Sequence, residues 1–338
     1  MKTGQRTWAV VLAAGDGTRL AALTTDTNGR LVPKQFCSLN GGGSLLQGAI
    51  QRARRIVPRE RICVIVADQH RCYWYGAIWA LPSVSVIVQP RNCGTANGIL
   101  LSLLTILERD PFARIVFLPA DHYVREERAF AGSLREAAAL AMHDPDALTF
   151  LGIEPENADP GFGYILPREK LAGGARHVDS FIEKPEATLA RQLVANGALW
   201  NTFIFTTQGV ALLEMLRARI PDAVAQMQAV MAYDARLGAR AAALQELYER
   251  LPCIDFSHAV VRGAESKLRV LTVPACGWHD LGTPERVAGT LECLTCDRLQ
   301  RAASPERVPL FAASPAVINL AAQHARLARV SRETQINR

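Results

Sequence analysis

Residues Val10 to Leu20 read "VVLAAGDGTRL", an apolar run that breaks into two glycines, an acid, a hydroxyl and an arginine. Three readings compete: the hydrophobic part of a secretion signal, the first turn of a dinucleotide-binding fold, or a loop that holds a nucleoside triphosphate. A strand that ends in glycines and runs into a helix offers free backbone N–H groups and the positive end of the helix dipole to an anion. Gly15 and Gly17 suit that use. The dinucleotide fingerprint fails because its third glycine falls on Leu20, and no Gly-Lys-Ser/Thr follows to make a Walker loop. Lys2 and Arg6 ahead of "WAVVLAAG" imitate a signal peptide, but the run is at the lower limit of length. The chain is therefore expected to be cytoplasmic. Arg19 and then "PKQF", with Lys34, place two cations behind the loop. Such a pair suits a triphosphate whose α-phosphorus is attacked, since the transition state gains negative charge. Taken singly, each could be a solvated loop cation.

Outward from that stretch, the 338 residues, 49% of them hydrophobic, can fill the core of one large α/β domain, alone or with an appendage. Eight cysteines are scattered without a framework-like spacing, so reduced thiols are expected and no disulfides. "CLTC" at Cys293 to Cys296 has the spacing of half a zinc site, with Cys276, His279 and Cys253 as the nearest further ligands. It lies in a helical-looking segment without a second paired motif, so no zinc site is expected. The net charge of +6 arises from dispersed Lys and Arg that alternate with acids, and no basic stripe with interleaved aromatics argues for nucleic acid. No apolar run approaches the roughly 18 residues of a membrane span.

Short β-branched runs alternate with amphipathic stretches over the first two thirds. "TWAVVLAA", "RICVIVA", "VSVIVQP", "RIVFLPAD" and "ALTFLGI" read as strands covered on both faces. "SLLQGAIQRARRIV", "NGILLSLLTILERD" and "FAGSLREAAALAMH" between them read as helices. This alternation predicts a doubly wound, mostly parallel α/β sheet. After Gly161, "GYILP" and "HVDSFIEKP" read as antiparallel strands inserted into it, and "ATLARQLVANG" as a helix. "LWNTFIFTT" precedes a long helical region from Val210 to Leu251, interrupted at Pro221. The expected division is a domain over 1–291 and a helical tail over 292–338, with a helix at "AVINLAAQHARLARV" for packing or for a partner.

"VVLAAGDGTRL" with "PKQF" resembles the signature of the sugar-1-phosphate nucleotidyltransferases, and further segments follow in the family's order. These are "QPRNCGTANGI" (Gln89 to Ile99), "FLPADH" (Phe117 to His122), "GFGYI" (Gly161 to Ile165), "FIEKP" (Phe181 to Pro185), "WNTFIF" (Trp200 to Phe205) and "GWHDLGT" (Gly277 to Thr283). "PKQ", "RN" followed by "TA", "PADH" and "WN" point to the mannose-1-phosphate guanylyltransferase branch. The resemblance implies a Rossmann-like nucleotidyltransferase fold and a nucleotide site at Ala13, Gly15, Asp16, Gly17, Thr18, Gln89, Asn92, Gly94 and Thr95. It implies catalytic roles for Arg19, Lys34 and Asp121. A Mg²⁺ would be shared by Asp121 and Asp280, and a sugar-phosphate site formed by Gly163, Glu183, Lys184 and Asn201.

The residue chemistry is consistent with those assignments. A carboxylate that ends an apolar strand, like Asp121, stands at the carboxyl edge where open α/β sheets bind ligands. Magnesium accepts a sparse protein shell of one or two carboxylates beside phosphate oxygens. Asp280 could equally cap the helix after it. His122 is expected to orient Asp121 and not to act as a base, because a sugar phosphate oxygen is already ionised at neutral pH. Three departures from the branch stand out: Gln89 where Glu is usual, Thr202 and Phe203 where a small residue and glycine follow "WN", and no long C-terminal extension. The last leads us to expect no isomerase activity. The expected substrates are GTP and mannose 1-phosphate, and the expected assembly is a homodimer. The alternatives are UTP or dTTP with glucose 1-phosphate, a non-catalytic regulatory subunit that binds nucleotide sugar, and a dehydrogenase. The missing third glycine disfavours the last.

Overall fold

The computed structural model describes residues 6–78, 86–171, 173–233, 238–301 and 318–336. The strand β1 (Thr7–Leu12) is covered on both faces because its side chains alternate between two apolar layers. Ala9 and Val11 enter one core and Trp8 and Val10 the other. β2 (Ile62–Ala67) and β4 (Arg114–Pro119) are buried along their whole length in the same way. With β3 (Val86–Gln89) they make the parallel order β3-β2-β1-β4. The first two residues of "VSVIVQP" lie outside the described residues.

The expectation of a mostly parallel sheet holds only for that half. β9 (Leu199–Gln208) enters the centre antiparallel to both β4 and β6 (Leu148–Ile153). Beyond it come β10 (Leu268–Thr272), parallel to β6, and the hairpin β7 (Gly163–Lys170) with β8 (Arg176–Glu183), completing a mixed sheet of nine strands among the described residues. Apolar continuity marks a strand as buried but carries no chain direction, so "LWNTFIFTT" could not announce its reversal. Phe205 is fixed there by Phe117 at 4.7 Å and Phe150 at 5.3 Å, ring pairs worth about 0.5–1.5 kcal/mol each beyond burial. The expected antiparallel hairpin thus continues the main sheet, and β7 turns back to pair antiparallel with the start of β9, Tyr164 against Trp200 and Ile165 against Leu199. β5 (Tyr123–Val124) and β11 (Trp278–His279) form a separate small pair.

The helices sit where the amphipathic stretches placed them. After the short α1 (Ala21–Thr24), α2 (Leu45–Arg54) starts with a reciprocal cap, in which the Ser44 hydroxyl accepts from the Gln47 N–H and the Gln47 side chain accepts from the Ser44 N–H. α3 (Arg71–Ala77), α4 (Thr95–Arg109) and α5 (Glu127–His143) follow. α6 (Ala187–Ala195) leads into β9, and the long helical region divides into α7 (Gly209–Arg219), α8 (Pro221–Met231) and α9 (Ala239–Arg250). α10 (Pro284–Arg301) runs without a break through residue 291. α11 (Leu320–Ile336) returns to the other end of the chain: Ser38 exchanges backbone hydrogen bonds with Ile318 and Leu320, and the Gln323 amide donates to the Thr25 carbonyl. No described helix is long and apolar enough to cross a membrane.

Candidate active site

The loops that follow β1, β3 and β4 meet the hairpin of β7 and β8 across a cavity of about 400 Å³ at the carboxyl edge of the parallel strands. Gly15, Arg19, Gln89, Asn92, Gly94, Thr95, Asp121, Gly163, Glu183, Lys184, Asn201 and Asp280 all line it. The sequence spreads these residues over more than 260 positions; the sheet topology brings them together.

On one wall, the glycine loop is shaped from below. The Gln35 amide donates to the carbonyls of Ala13 and Gly15 at 3.0 and 2.7 Å, and Ala13 gives its own N–H to the Ile65 carbonyl. Ala13 therefore belongs to the frame of the loop, with both backbone groups occupied. Gly17 adopts φ 67, and a Cβ there would meet the Lys34 backbone nitrogen at 2.8 Å. Thr18 and Arg19 are exposed on the short turn Thr18–Leu20, with Arg19 facing the cavity. The Asp16 carboxylate is engaged by Gln69, Asn92 and His70. Gln89 is buried, and the Tyr248 hydroxyl donates to its Oε1 at 3.4 Å.

The centre of the site is Lys34. It is almost fully buried, with its ammonium 2.9 Å from the Asp121 carboxylate, and it donates to the carbonyls of Asp280 at 2.6 Å and Leu281 at 3.2 Å. The sequence reading placed Lys34 on a triphosphate. In the structure it joins the end of β4 to the loop after β11, and so fixes the acid-bearing segments relative to the glycine loop. Burial works to raise the Asp121 carboxyl, but the Lys34 ammonium, His122 and hydrogen bonds outweigh it and hold the group below its usual range. Burial pushes His122 down to about 4. Its Nδ1 lies 3.3 Å from the indole nitrogen of Trp278, which can only donate, so the neutral ring carries its proton on Nε2, the nitrogen 3.8 Å from Asp121. At 3.8 Å that nitrogen makes no hydrogen bond to the carboxylate.

Asp280 is more fully committed than Asp121. Its two oxygens accept from the Gly282 N–H at 3.0 Å and from Arg286 at 2.7 Å, and Arg286 continues to Asp159 and stacks over Phe162. No group of three or more His, Cys, Asp or Glu is arranged to hold a metal among the described residues. Two carboxylates on one cavity wall nevertheless fit a cation that takes most of its ligands from phosphate and water. The Asp121 side chain is 36% exposed, and a carboxylate oxygen retains acceptor capacity after one hydrogen bond.

On the hairpin side, Gly163 pairs with Glu183 across the strands, and a Cβ on Gly163 would come within 2.7 Å of the Glu183 carboxylate. The Lys184 ammonium is exposed, 3.4 Å from Glu183, on a backbone with φ 47. The Asn201 Oδ1 accepts the Phe203 N–H at 2.9 Å within β9, where the register against β6 shifts and Phe203 has φ 57. The sequence reading overlooked Asp255 and Ser257, which also line the cavity. The Thr95 hydroxyl accepts the Phe256 N–H and faces Asp255 at 3.4 Å, so this segment is part of the wall beside Gly94. It follows a long helical region and has no motif of its own, which is why nothing in the spacing revealed it. Gln35 had a signal in "PKQF", read only for its lysine.

A nucleotide-sized cavity at the carboxyl edge of a parallel half-sheet, with a glycine loop on one side and cations and carboxylates facing it, defines a phosphate-handling α/β protein. The family model for Nucleotidyl transferase matches residues 8–290, and the chain belongs to that family. It is 31% identical over 289 residues to mannose-1-phosphate guanylyltransferase 2 of Escherichia coli O157:H7, covering 81% of this chain and 58% of that protein. Against the mannose-1-phosphate guanylyltransferase of Escherichia coli K12 the identity is 31% over 287 residues, 82% of this chain and 58% of the relative. The chain thus spans little more than half the length of these curated relatives. A crystal structure titled mannose-1-phosphate geranyltransferase, from Thermus thermophilus, superposes with a TM-score of 0.72 at 26% identity over 84% of this chain and 79% of that one.

Proposed function

We propose that the protein transfers a nucleotidyl group from a nucleoside triphosphate to a hexose 1-phosphate, with GTP and mannose 1-phosphate the favoured pair. The observation that carries the reading is the junction at Lys34, where one buried ammonium joins the Asp121 carboxylate to the 280–281 carbonyls and so sets two cavity-lining acids beside the glycine loop. A phosphate oxygen of the sugar 1-phosphate attacks the α-phosphorus, the bond to the bridging oxygen breaks, and pyrophosphate leaves with that oxygen. Both reactants are anions, so the work of the site is positioning and neutralisation of charge. Arg19 faces the triphosphate, Lys184 the sugar phosphate, and Glu183 and Asn201 the sugar hydroxyls. Asp121 and Asp280 would hold a Mg²⁺, which when bound supplies charge neutralisation at the phosphate oxygens. No protein base is needed, and His122, held neutral, stays with Asp121.

The test is pyrophosphate release with each NTP against a panel of sugar 1-phosphates. The highest kcat/KM is expected for GTP with mannose 1-phosphate. A higher value for another pair would change the substrates within the same reaction. Release with no pair would overturn the catalytic reading in favour of a nucleotide-sugar-binding subunit.

A further inference from the structure

An acid inside a loop that receives a triphosphate is electrostatically unfavourable, so Asp16 needs a reason to be there. Its two oxygens are divided between neighbours. Oδ1 accepts from the Gln69 amide at 2.7 Å and lies 3.3 Å from His70 Nε2, and Oδ2 accepts from the Asn92 amide at 3.0 Å. Asp16 follows β1, Gln69 and His70 follow β2, and Asn92 follows β3, three strands adjacent in the sheet. Asn92 in turn accepts the Gly94 N–H at 3.1 Å, in the loop that opens α4. One carboxylate therefore ties together the loops after three consecutive strands. Asp16 and Gln69 do not themselves line the cavity, whereas Gly15 and Asn92 on either side of the clasp do.

We propose that Asp16 is a positioning residue that clasps the glycine loop to the loop carrying Asn92 after β3, so that phosphate and base find both loops already set. The proposal rests on the reading of this cavity as a nucleotide site. It differs from a direct contact in the sign of its effect. An acid that merely stood near the phosphates would repel them, and its removal would tighten nucleotide binding. A clasp holds the two loops in register before the ligand arrives, and its removal transfers that ordering cost to the binding step.

The experiment measures the GTP dissociation constant by calorimetry, with KM and kcat by pyrophosphate release, for the wild type, Asp16→Ala, Asp16→Asn, Gln69→Ala and the double variant Asp16→Ala/Gln69→Ala. Removing charge-assisted hydrogen bonds of this kind should weaken GTP about tenfold in Asp16→Ala, with the sugar 1-phosphate KM within about twofold. Gln69→Ala should weaken GTP about threefold although Gln69 does not line the cavity, and the double variant should be no worse than Asp16→Ala alone. Asp16→Asn, which keeps one acceptor oxygen, should lie between wild type and Asp16→Ala at an unchanged melting temperature. Tighter or unchanged GTP binding in Asp16→Ala, or losses in the double variant that simply multiply, would overturn the clasp. Calorimetric binding of GTP without turnover by the wild type would overturn the proposed reaction while leaving this test intact. No GTP binding by the wild type would overturn both.

Discussion

The two walls of the cavity are held in shape by different means. On the nucleotide wall, the backbone positions with positive φ are glycines, Gly17 and Gly94, and side-chain amides set the loops: Gln35 under the glycine loop, Gln69 and Asn92 across to Asp16. On the sugar and acid walls, positive φ falls not only on Gly277 but on Lys184, Phe203 and Leu281, the three non-glycine residues in that conformation among the described residues. Left-handed backbone at such residues costs on the order of 1–3 kcal/mol each and persists only when surrounding contacts enforce it. Asn201 enforces it at Phe203, the Phe162 carbonyl at Lys184 and the Lys34 ammonium at Leu281. Parallel strands present their loops side by side, where short amides can bridge them. The antiparallel half must bring in its functional groups from a hairpin and a strand end, and strain aims them.

The comparison is most severely tested at the acids. Asp121→Ala and Asp280→Ala should each lower kcat by about 10³-fold, and the double variant should be little worse, because both would act on one cation. If Asp280 only caps its turn and holds Arg286, Asp280→Ala will instead lose ~1 kcal/mol of stability, keep its activity and show a wild-type magnesium titration. Lys34→Ala should reduce kcat about 10²-fold and leave nucleotide affinity within a few-fold, since the ammonium sets the acids that face the transition state. Equal losses in both would place Lys34 in binding alone. Phe203→Gly removes a side chain from the sugar wall where glycine suits the backbone. It should alter kcat/KM between sugar 1-phosphates by about tenfold with the nucleotide KM unchanged, and a shift in the nucleotide KM instead would dissolve the division into two walls. Gln89→Glu should raise the preference for GTP over UTP by several-fold, as a carboxylate accepts from both the ring N–H and the amino group of guanine. An unchanged ratio would remove Gln89 from base reading.

The smallest effect is on stability. His122 has a folded-state pKa of about 4, below the unfolded value near 6.5, so between those values the unfolded chain binds more protons and stability falls as the pH falls. Burial depresses His70 and His279 in the same direction. Lowering the pH from 7 to 5 should reduce the melting temperature by a few degrees on this account, and His122→Asn should flatten that slope without abolishing it. A slope unchanged in His122→Asn would show that another group carries it.

Much of this was legible because period and position are local properties. The strands that begin at Thr7, Ile62, Arg114 and Leu148 and the helices between them follow from burial on two faces and from amphipathic spacing. The direction of β9 was not, since a run such as "LWNTFIFTT" reads equally well either way. Motif order singled out Arg19, Lys34, Asp121 and Lys184, yet the fastening of Lys34 to carbonyls 246 and 247 residues away depends on folding that no spacing encodes. Asp255 and Tyr248 escaped for a related reason: each lies in or just after a helical stretch whose pattern reports packing and nothing of the loop it faces.

The segment that carries Lys34 gets its last supports from far along the chain, with Ser38 bonded to Ile318 and Leu320, and Thr25 bonded to Gln323 across 298 positions. Synthesis proceeds from the N-terminus, and long-range pairings form slowly because loop closure precedes their reward. The glycine loop and the first parallel strands can therefore assemble while the chain is still being made, but the bed of the central lysine is completed only after α11 has left the ribosome. A nascent chain could hold the glycine loop long before Tyr248, Asp255 and Ser257 complete the wall beside it.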